Sequence, residues 1–452
     1  MLSQTPAIGR RAEMNRVHAM KSMPLKQIIT TAGLVAAGFF MTACTAVRAP
    51  RENAPHSGAV ATGHYRNLFA EDGHAKKEIR EKVDSAFAQL FYGGPNRAPL
   101  FCSAGANANG PLAYIFDGTD RDVRSEGMSY GMMIAVQLDK KPEFDALWNW
   151  AKTFMQHTDT NHPACGYFSW SLKTNGVAND DMPAPDGEEY FVTALFFASA
   201  RWGDGAGIYN YRSEAVRLLS DLKNRAIITG LTVTVPKTCT ALFSSTEKMV
   251  RFMPDAGNSE HSDASYHLPA FYELWSRLAA PADRAFWRDA ATTSRDYFQR
   301  SANPVTGLCP EYGNFDGTPW AAPWKTNSVD FRYDSWRVAM NWAMDWSWWR
   351  ADPREQVLSD RLLAFFETTK NFPRYGNQFA LSGRQLSSNH STGLVAMNAV
   401  AALAATDPRA KQFVEELWNA PVPLGRIVYY DAMLYLLGLL HCSGEFRVWM
   451  PR

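Results

Sequence analysis

Gly127–Leu138 reads GMSYGMMIAVQL, Tyr190–Ala200 reads YFVTALFFASA, Thr392–Ala405 reads TGLVAMNAVAALAA and Asp431–Leu440 reads DAMLYLLGLL. Asp431 is the one charged residue in these four stretches. A helix that is apolar all round has no face to give to water and is buried on every side. Segments of a second kind run between them, at 142–157, 211–225, 282–300, 353–370 and 408–419. These mix charged and apolar residues at helical spacing, as half-exposed helices do. Two of them open with Asp352-Pro353 and Asp407-Pro408, an N-cap followed by proline at the first helical position.

With 76–92, 126–139, 187–202, 266–279, 335–350, 392–405 and 430–441 the helical segments number twelve. Buried and half-exposed types alternate along the chain. Six of each in alternation predict an all-α fold, an (α/α)6 toroid of six inner and six outer helices, each inner helix wrapped by outer partners. Connections from inner to outer helices are short, near 140, 280, 351 and 407. Connections from outer to inner are long, at 158–186, 226–265, 301–334, 371–391 and 420–429. The long loops therefore gather where the inner helices begin, and loops of this length in a compact domain usually carry function. A cleft at that end is the expected site.

The chain has 452 residues, 46% hydrophobic and 20% charged, with 46 Lys and Arg against 45 Asp and Glu. This composition is globular, and a charge of +1 without a basic block argues against nucleic acid as a partner. The N-terminal 44 residues read as a targeting segment. Lys21 and Lys26 precede an uncharged run from Ile28 to Ala43, shorter than the ~20 residues that span a membrane. Met41-Thr42-Ala43-Cys44 is similar to the lipobox of bacterial lipoproteins, which implies lipidation of Cys44. An ordinary signal peptide cut near Ala43 is the alternative, and Met14, Met20 and Met23 are alternative starts. Residues 45–63 read as a flexible tether, and 64–452 as the catalytic domain. Five further cysteines are far apart, with no zinc spacing among them. No metal, no cofactor and no Gly-rich phosphate loop is expected, and the domain is expected to act as a monomer.

Carboxylates stand at or beside the inner-helix starts: Glu126, Asp186, Asp263, Asp334 and Asp431, with His390 at the fifth start. Helix capping accounts for any one of them. The set is harder to dismiss, because Trp170, Tyr190, Tyr266, Tyr333, Trp336, Tyr429 and Tyr430 accompany it. Paired carboxylates in an aromatic groove suit glycoside hydrolysis, in which one acid protonates the leaving oxygen and the other activates water or attacks the sugar. Aromatic faces stack on the apolar faces of pyranose rings.

At these residues the chain resembles glycoside hydrolase family 8, from about residue 63 to 450. Ser125-Glu126-Gly127-Met128-Ser129-Tyr130-Gly131-Met132 is similar to the family's general-acid motif, and Tyr333-Asp334-Ser335-Trp336-Arg337 to the motif of its general base. The resemblance implies an inverting mechanism, with Glu126 as proton donor, Asp334 as base and Asp186 gripping and distorting the sugar. It implies that Arg337 holds Asp334 or a sugar hydroxyl. Residues 183–191, 201–205 and 265–269 resemble the family's xylan branch, which cleaves xylan or xylooligosaccharides. In its exo-enzymes, which release xylose from the reducing end, a Leu-His-Pro kink closes the cleft. Here the matching stretch is Asn389-His390-Ser391-Thr392-Gly393, with the His kept and its Leu and Pro neighbours absent. Exo action is the expectation, with endo-xylanase as the alternative.

Three other classes compete. A polysaccharide lyase needs cationic groups beside a uronic acid, against which the acidic set argues. A β-1,4-glucanase of the same family and a non-catalytic sugar-binding lipoprotein are more remote. Export with a lipid anchor in the outer membrane follows from the leader, since Thr45 rather than Asp follows Cys44. The anchor is then the only membrane contact.

Overall fold

Helices without a polar face are satisfied only by other helices, and the chain meets that demand by closing them into a ring. The computed structural model describes residues 57–94, 98–424 and 428–450. The leader and Cys44 lie outside the described residues.

Two single turns come first, α1 (Ala59–Thr62) and α2 (Leu68–Glu71). The barrel helices follow: α3 (Lys76–Phe91), α4 (Ser125–Gln137), α5 (Lys141–Trp150), α6 (Pro185–Trp202), α7 (Tyr211–Asn224), α8 (Pro269–Leu278), α9 (Arg284–Ser301), α10 (Trp336–Trp349), α11 (Arg354–Glu367), α12 (Thr392–Ala401), α13 (Lys411–Asn419) and α14 (Tyr429–Cys442). All twelve expected helices are present. The even-numbered helices from α4 to α14 form the inner ring, in which α4 packs on α6, α8 on α10, α10 on α12, α12 on α14 and α14 back on α4. The ring closes between α6 and α8 through side chains: Tyr272 Oη donates to Glu189 Oε2 (3.0 Å) and Trp275 Nε1 to Thr193 Oγ1 (3.1 Å). Each outer helix lies on an inner one: α5 on α4, α7 on α6, α9 on α8, α11 on α10, α13 on α12 and α3 on α14. A buried ion pair joins α9 to α10, with Arg295 Nε and Nη2 on Asp345 at 2.7 and 2.9 Å.

The differences from the sequence reading are local. The segment 266–279 splits into a 3-10 turn at Ala264–Tyr266 and helix α8, because Pro269 restarts the helix at its first position. Similarly, a 3-10 turn at Tyr333–Ser335 leads into α10. The tether expected through 63 ends sooner, since Ala59 is buried and α1 packs on α10. Short antiparallel pairs stiffen the loops, such as Phe101–Asn107 with Gly110–Ile115 and Ile228–Leu231 with Pro236–Cys239. Cys102, Cys165, Cys239, Cys309 and Cys442 are all free thiols. No described helix is long and apolar enough to cross a membrane.

Helix α14 packs closely on α12. A Cβ at Gly438 would stand 2.7 Å from Ala396 Cβ and 3.3 Å from its backbone. Gly438→Val must push these helices apart, with an expected cost of about 1–3 kcal/mol. Thermal unfolding should show a lowered Tm, and an unchanged Tm would mean that the ring spreads freely at this point.

Candidate active site

The inner helices all begin at one end of the barrel, and residues at four of those starts converge on one guanidinium. Arg337, in the first turn of α10, is only 2% exposed. Its Nη1 donates to Glu126 Oε2 (2.8 Å), Tyr130 Oη (2.7 Å) and Asp186 Oδ2 (2.6 Å). Its Nη2 donates to Ser265 Oγ (2.8 Å) and Asp334 Oδ1 (3.1 Å). One side chain thus joins the starts of α4, α6 and α10 and the 3-10 turn before α8. Arg337, expected to hold Asp334 or a sugar, has both terminal nitrogens taken by protein groups. Its Nε is buried without a hydrogen-bond partner.

Glu126 stands in the first turn of α4, and its second oxygen accepts from Tyr429 Oη at 2.8 Å. Gly127 makes this contact available, since a Cβ there would fall 2.6 Å from the Tyr429 ring. Asp186 accepts from Gly187 N–H at 2.9 Å. Asp334 is the most exposed of the three carboxylates, at 24% of its side chain. It follows Tyr333, whose φ of 28° lies in the left-handed region that a bulky residue rarely occupies. The Tyr333 carbonyl accepts from Tyr430 Oη at 3.0 Å, which holds this backbone in place.

Three carboxylates around one guanidinium cannot all be ionised cheaply. Burial pushes Glu126 up to about 7, with Asp186 and Asp334 adding to the rise and Arg337 and the Tyr429 hydrogen bond opposing it. Burial also raises Asp186, against the pull of Arg337. Behind them Asp263 is fully buried, with one oxygen on Ser265 N–H (2.7 Å) and the other without a hydrogen-bond partner. Burial and Asp334 raise it well above the usual carboxylate range. The arrangement separates a proton-holding acid, Glu126, from a water-accessible carboxylate, Asp334, as general acid and base chemistry needs.

The expected aromatics divide. Tyr429 touches Glu126 directly. Tyr266 and Tyr430 lie beside Arg337, each with its ring centroid 5.9 Å from the guanidinium carbon. Tyr333 is 40% exposed. Trp170 is half-buried, its carbonyl accepting from Ser125 N–H and its ring facing Arg124. Tyr190 is not in the groove. One turn beyond Asp186 on α6, it packs between Tyr130 and Phe271 at 1% exposure. His390 is not gathered with the carboxylates either. Its Nδ1 is 2.9 Å from the Tyr375 carbonyl oxygen, and its Nε2 3.9 Å from Glu416. Asp431, in the first turn of the neighbouring α14, caps α12 by accepting from Gly393 N–H (2.7 Å).

Tyr130 and Ser265 stood inside the quoted motifs without a role. Tyr130 was findable, because it follows Glu126 by four residues and shares its helix face. Ser265 had no such signal, since its place depends on the turn before α8.

An (α/α)6 barrel with a carboxylate cluster at the mouth of its inner helices defines a class, the α-toroid carbohydrate-active enzymes. Within that class the chain belongs to the glycosyl hydrolases family 8, whose family model matches residues 108–444, and it is a glycoside hydrolase. It is 41% identical over 404 residues to the reducing-end xylose-releasing exo-oligoxylanase of Paenibacillus barcinonensis, covering 88% of this chain and 100% of that one. Two crystal structures from Teredinibacter turnerae, a xylobiose complex of a family 8 protein and a catalytic-mutant xylanase with xylohexaose, are each 58% identical to it. Each aligns with a TM-score of 0.86 over 87% of this chain and 100% of its own.

Tyr429→Phe keeps the ring on Gly127 and removes the hydroxyl. That hydrogen bond favours the ionised carboxylate, so its loss should move the Glu126 titration to higher pH. Carboxyl NMR of the variant tests this, and an unmoved titration would show that the hydroxyl does not act on Glu126.

Proposed function

We propose that this protein hydrolyses β-1,4-linked xylooligosaccharides with inversion, releasing xylose from the reducing end. The hydrolytic reading rests on one observation, the sharing of Arg337 by Glu126 and Asp334. That shared guanidinium keeps their bonded oxygens within about 8 Å, a span that accommodates the ~6.5–9.5 Å separation of inverting pairs. Glu126 protonates the glycosidic oxygen. Arg337 and Tyr429 then stabilise the carboxylate left behind. Asp334 takes the proton of a water that attacks the anomeric carbon from the opposite face. Asp186 contacts the distorted sugar and raises the Glu126 pKa. Tyr333, Tyr430 and Trp170 supply ring faces to the chain, and Tyr266, nearly covered, lies behind them beside Arg337. Glu126 must be protonated, so activity falls as pH rises through about 7.

The substrate class rests on the similarity to the exo-oligoxylanase over its whole length. Endo-xylanase action is the second reading, and two observations favour it. The His390 ring is engaged with Tyr375 and Glu416, and the more similar Teredinibacter protein is a xylanase. Free and borohydride-reduced xylohexaose separate the two. Stepwise loss of xylose from the free form alone supports exo action, and internal cleavage of both supports endo action. Glu126→Gln should lower turnover of xylohexaose about 10²–10⁴-fold. Near-wild-type activity would overturn its role.

We further propose that the mature chain is a lipid-anchored monomer of the bacterial outer membrane, held through Cys44. The support for the anchor is the leader sequence. A Cys44→Ala chain should lose acylation by mass spectrometry and leave the membrane fraction; retention there would overturn the anchor.

A further inference from the structure

Fourteen of the fifteen tryptophans are buried or half-buried, and Trp324 is the exception at 57% exposure. A single exposed apolar side chain is ordinary on a protein surface, so what marks Trp324 is how it is held. It is not a loose side chain. Residues 322–325, Ala-Pro-Trp-Lys, form a turn closed by Lys325 N–H on the Ala322 carbonyl at 2.9 Å, with Pro323 at its second position. Ser328 Oγ ties the turn down, accepting from Ala322 N–H (3.2 Å) and donating to the Trp320 carbonyl (2.7 Å). Lys325 Nζ sits 2.9 Å from the buried Glu311 carboxylate. The Trp324 ring rests edge-on to Trp320, at 5.6 Å and 85°. Trp320 in turn lies flat on His261 at 3.6 Å.

From this turn a line of rings runs to the centre of the site. Trp324 is 6.1 Å from Phe252, Phe252 is stacked on Tyr266 at 6.2 Å, and Tyr266 is 5.9 Å from the Arg337 guanidinium carbon. Phe252 and Tyr266 are nearly covered, at 6% and 8% exposure, and only the far end of the line opens to water. A rigid exposed indole, joined to the site by two intervening rings, presents a flat apolar face at small entropic cost.

We propose that Trp324 is a distal platform for the apolar face of a pentopyranose ring, and that it sets the preference for longer oligosaccharides. This rests on the xylooligosaccharide reading above. A distal platform contacts long substrates and not short ones, so the signature is a ratio between substrates. Trp324→Ala should lower kcat/KM for xylohexaose about tenfold more than for xylotriose, the effect of uncovering a large apolar contact. Trp324→Phe, which keeps a flat ring, should restore most of the ratio. Calorimetry on a Glu126→Gln background should show the same ratio in Kd, independently of turnover. If Trp324→Ala leaves the xylohexaose-to-xylotriose ratio unchanged in both measurements, Trp324 is not a platform. If xylooligosaccharides are neither cut by the wild-type protein nor bound by the Glu126→Gln protein, the substrate reading falls and the platform falls with it. Selective weakening of xylohexaose binding without turnover would instead uphold the platform and overturn only the hydrolytic reading.

Discussion

The buried guanidinium of Arg337 is the constraint on which the site depends. A charge in a barrel interior is tolerable only with well-placed partners, and Arg337 has partners from four segments of the inner ring. Those segments are separated by long loops and come together only when the ring closes. Fold closure and site assembly are thus one event. The same guanidinium opposes the rise in Glu126's pKa and holds Asp334 from the other nitrogen. Arg337 acts through its neighbours, tying Glu126, Asp186 and Asp334 to one centre.

Around that centre, two opposing fields act on the acids. The inner helices present their N-termini to the cleft, which favours negative charge. Burial acts the other way and dominates at Glu126, Asp186 and Asp263. Asp334 escapes full burial because it lies in a 3-10 turn ahead of α10, reached through the left-handed backbone of Tyr333. Strain at one residue and a hydrogen bond from Tyr430 to its carbonyl therefore separate the solvated carboxylate from the buried ones.

Much of the architecture was legible in the sequence. A run such as Thr392–Ala405 has no polar face at any rotation, so it has to be interior, and alternation with half-exposed helices dictates two rings. Helix ends were legible where capping residues or prolines marked them, as at Asp407-Pro408. The break before Pro269 and the loop hairpins were not, because strands of two to seven residues carry too little alternation to read. Glu126, Asp186 and Asp334 were legible as carboxylates at helix starts. Tyr190 was misplaced, since a tyrosine one turn into an inner helix faces a neighbouring helix as readily as the cleft.

By itself the sequence determined the helix count, the two-ring pattern, the end of the barrel that holds the site and the acids that stand there. These follow from local periodicity and from residues within a few positions of each other. Tertiary structure alone decided that Arg337 bridges Glu126, Asp186 and Asp334, that Tyr429 reaches Glu126 over Gly127, that His390 turns to Tyr375, and that Trp324 stands exposed at the end of a line of rings. Apart from the Arg337–Asp334 pair, three residues apart and expected from the resemblance, these relations join residues far apart in the chain and are set by how the ring closes and by what burial does to charge. No local pattern encodes either.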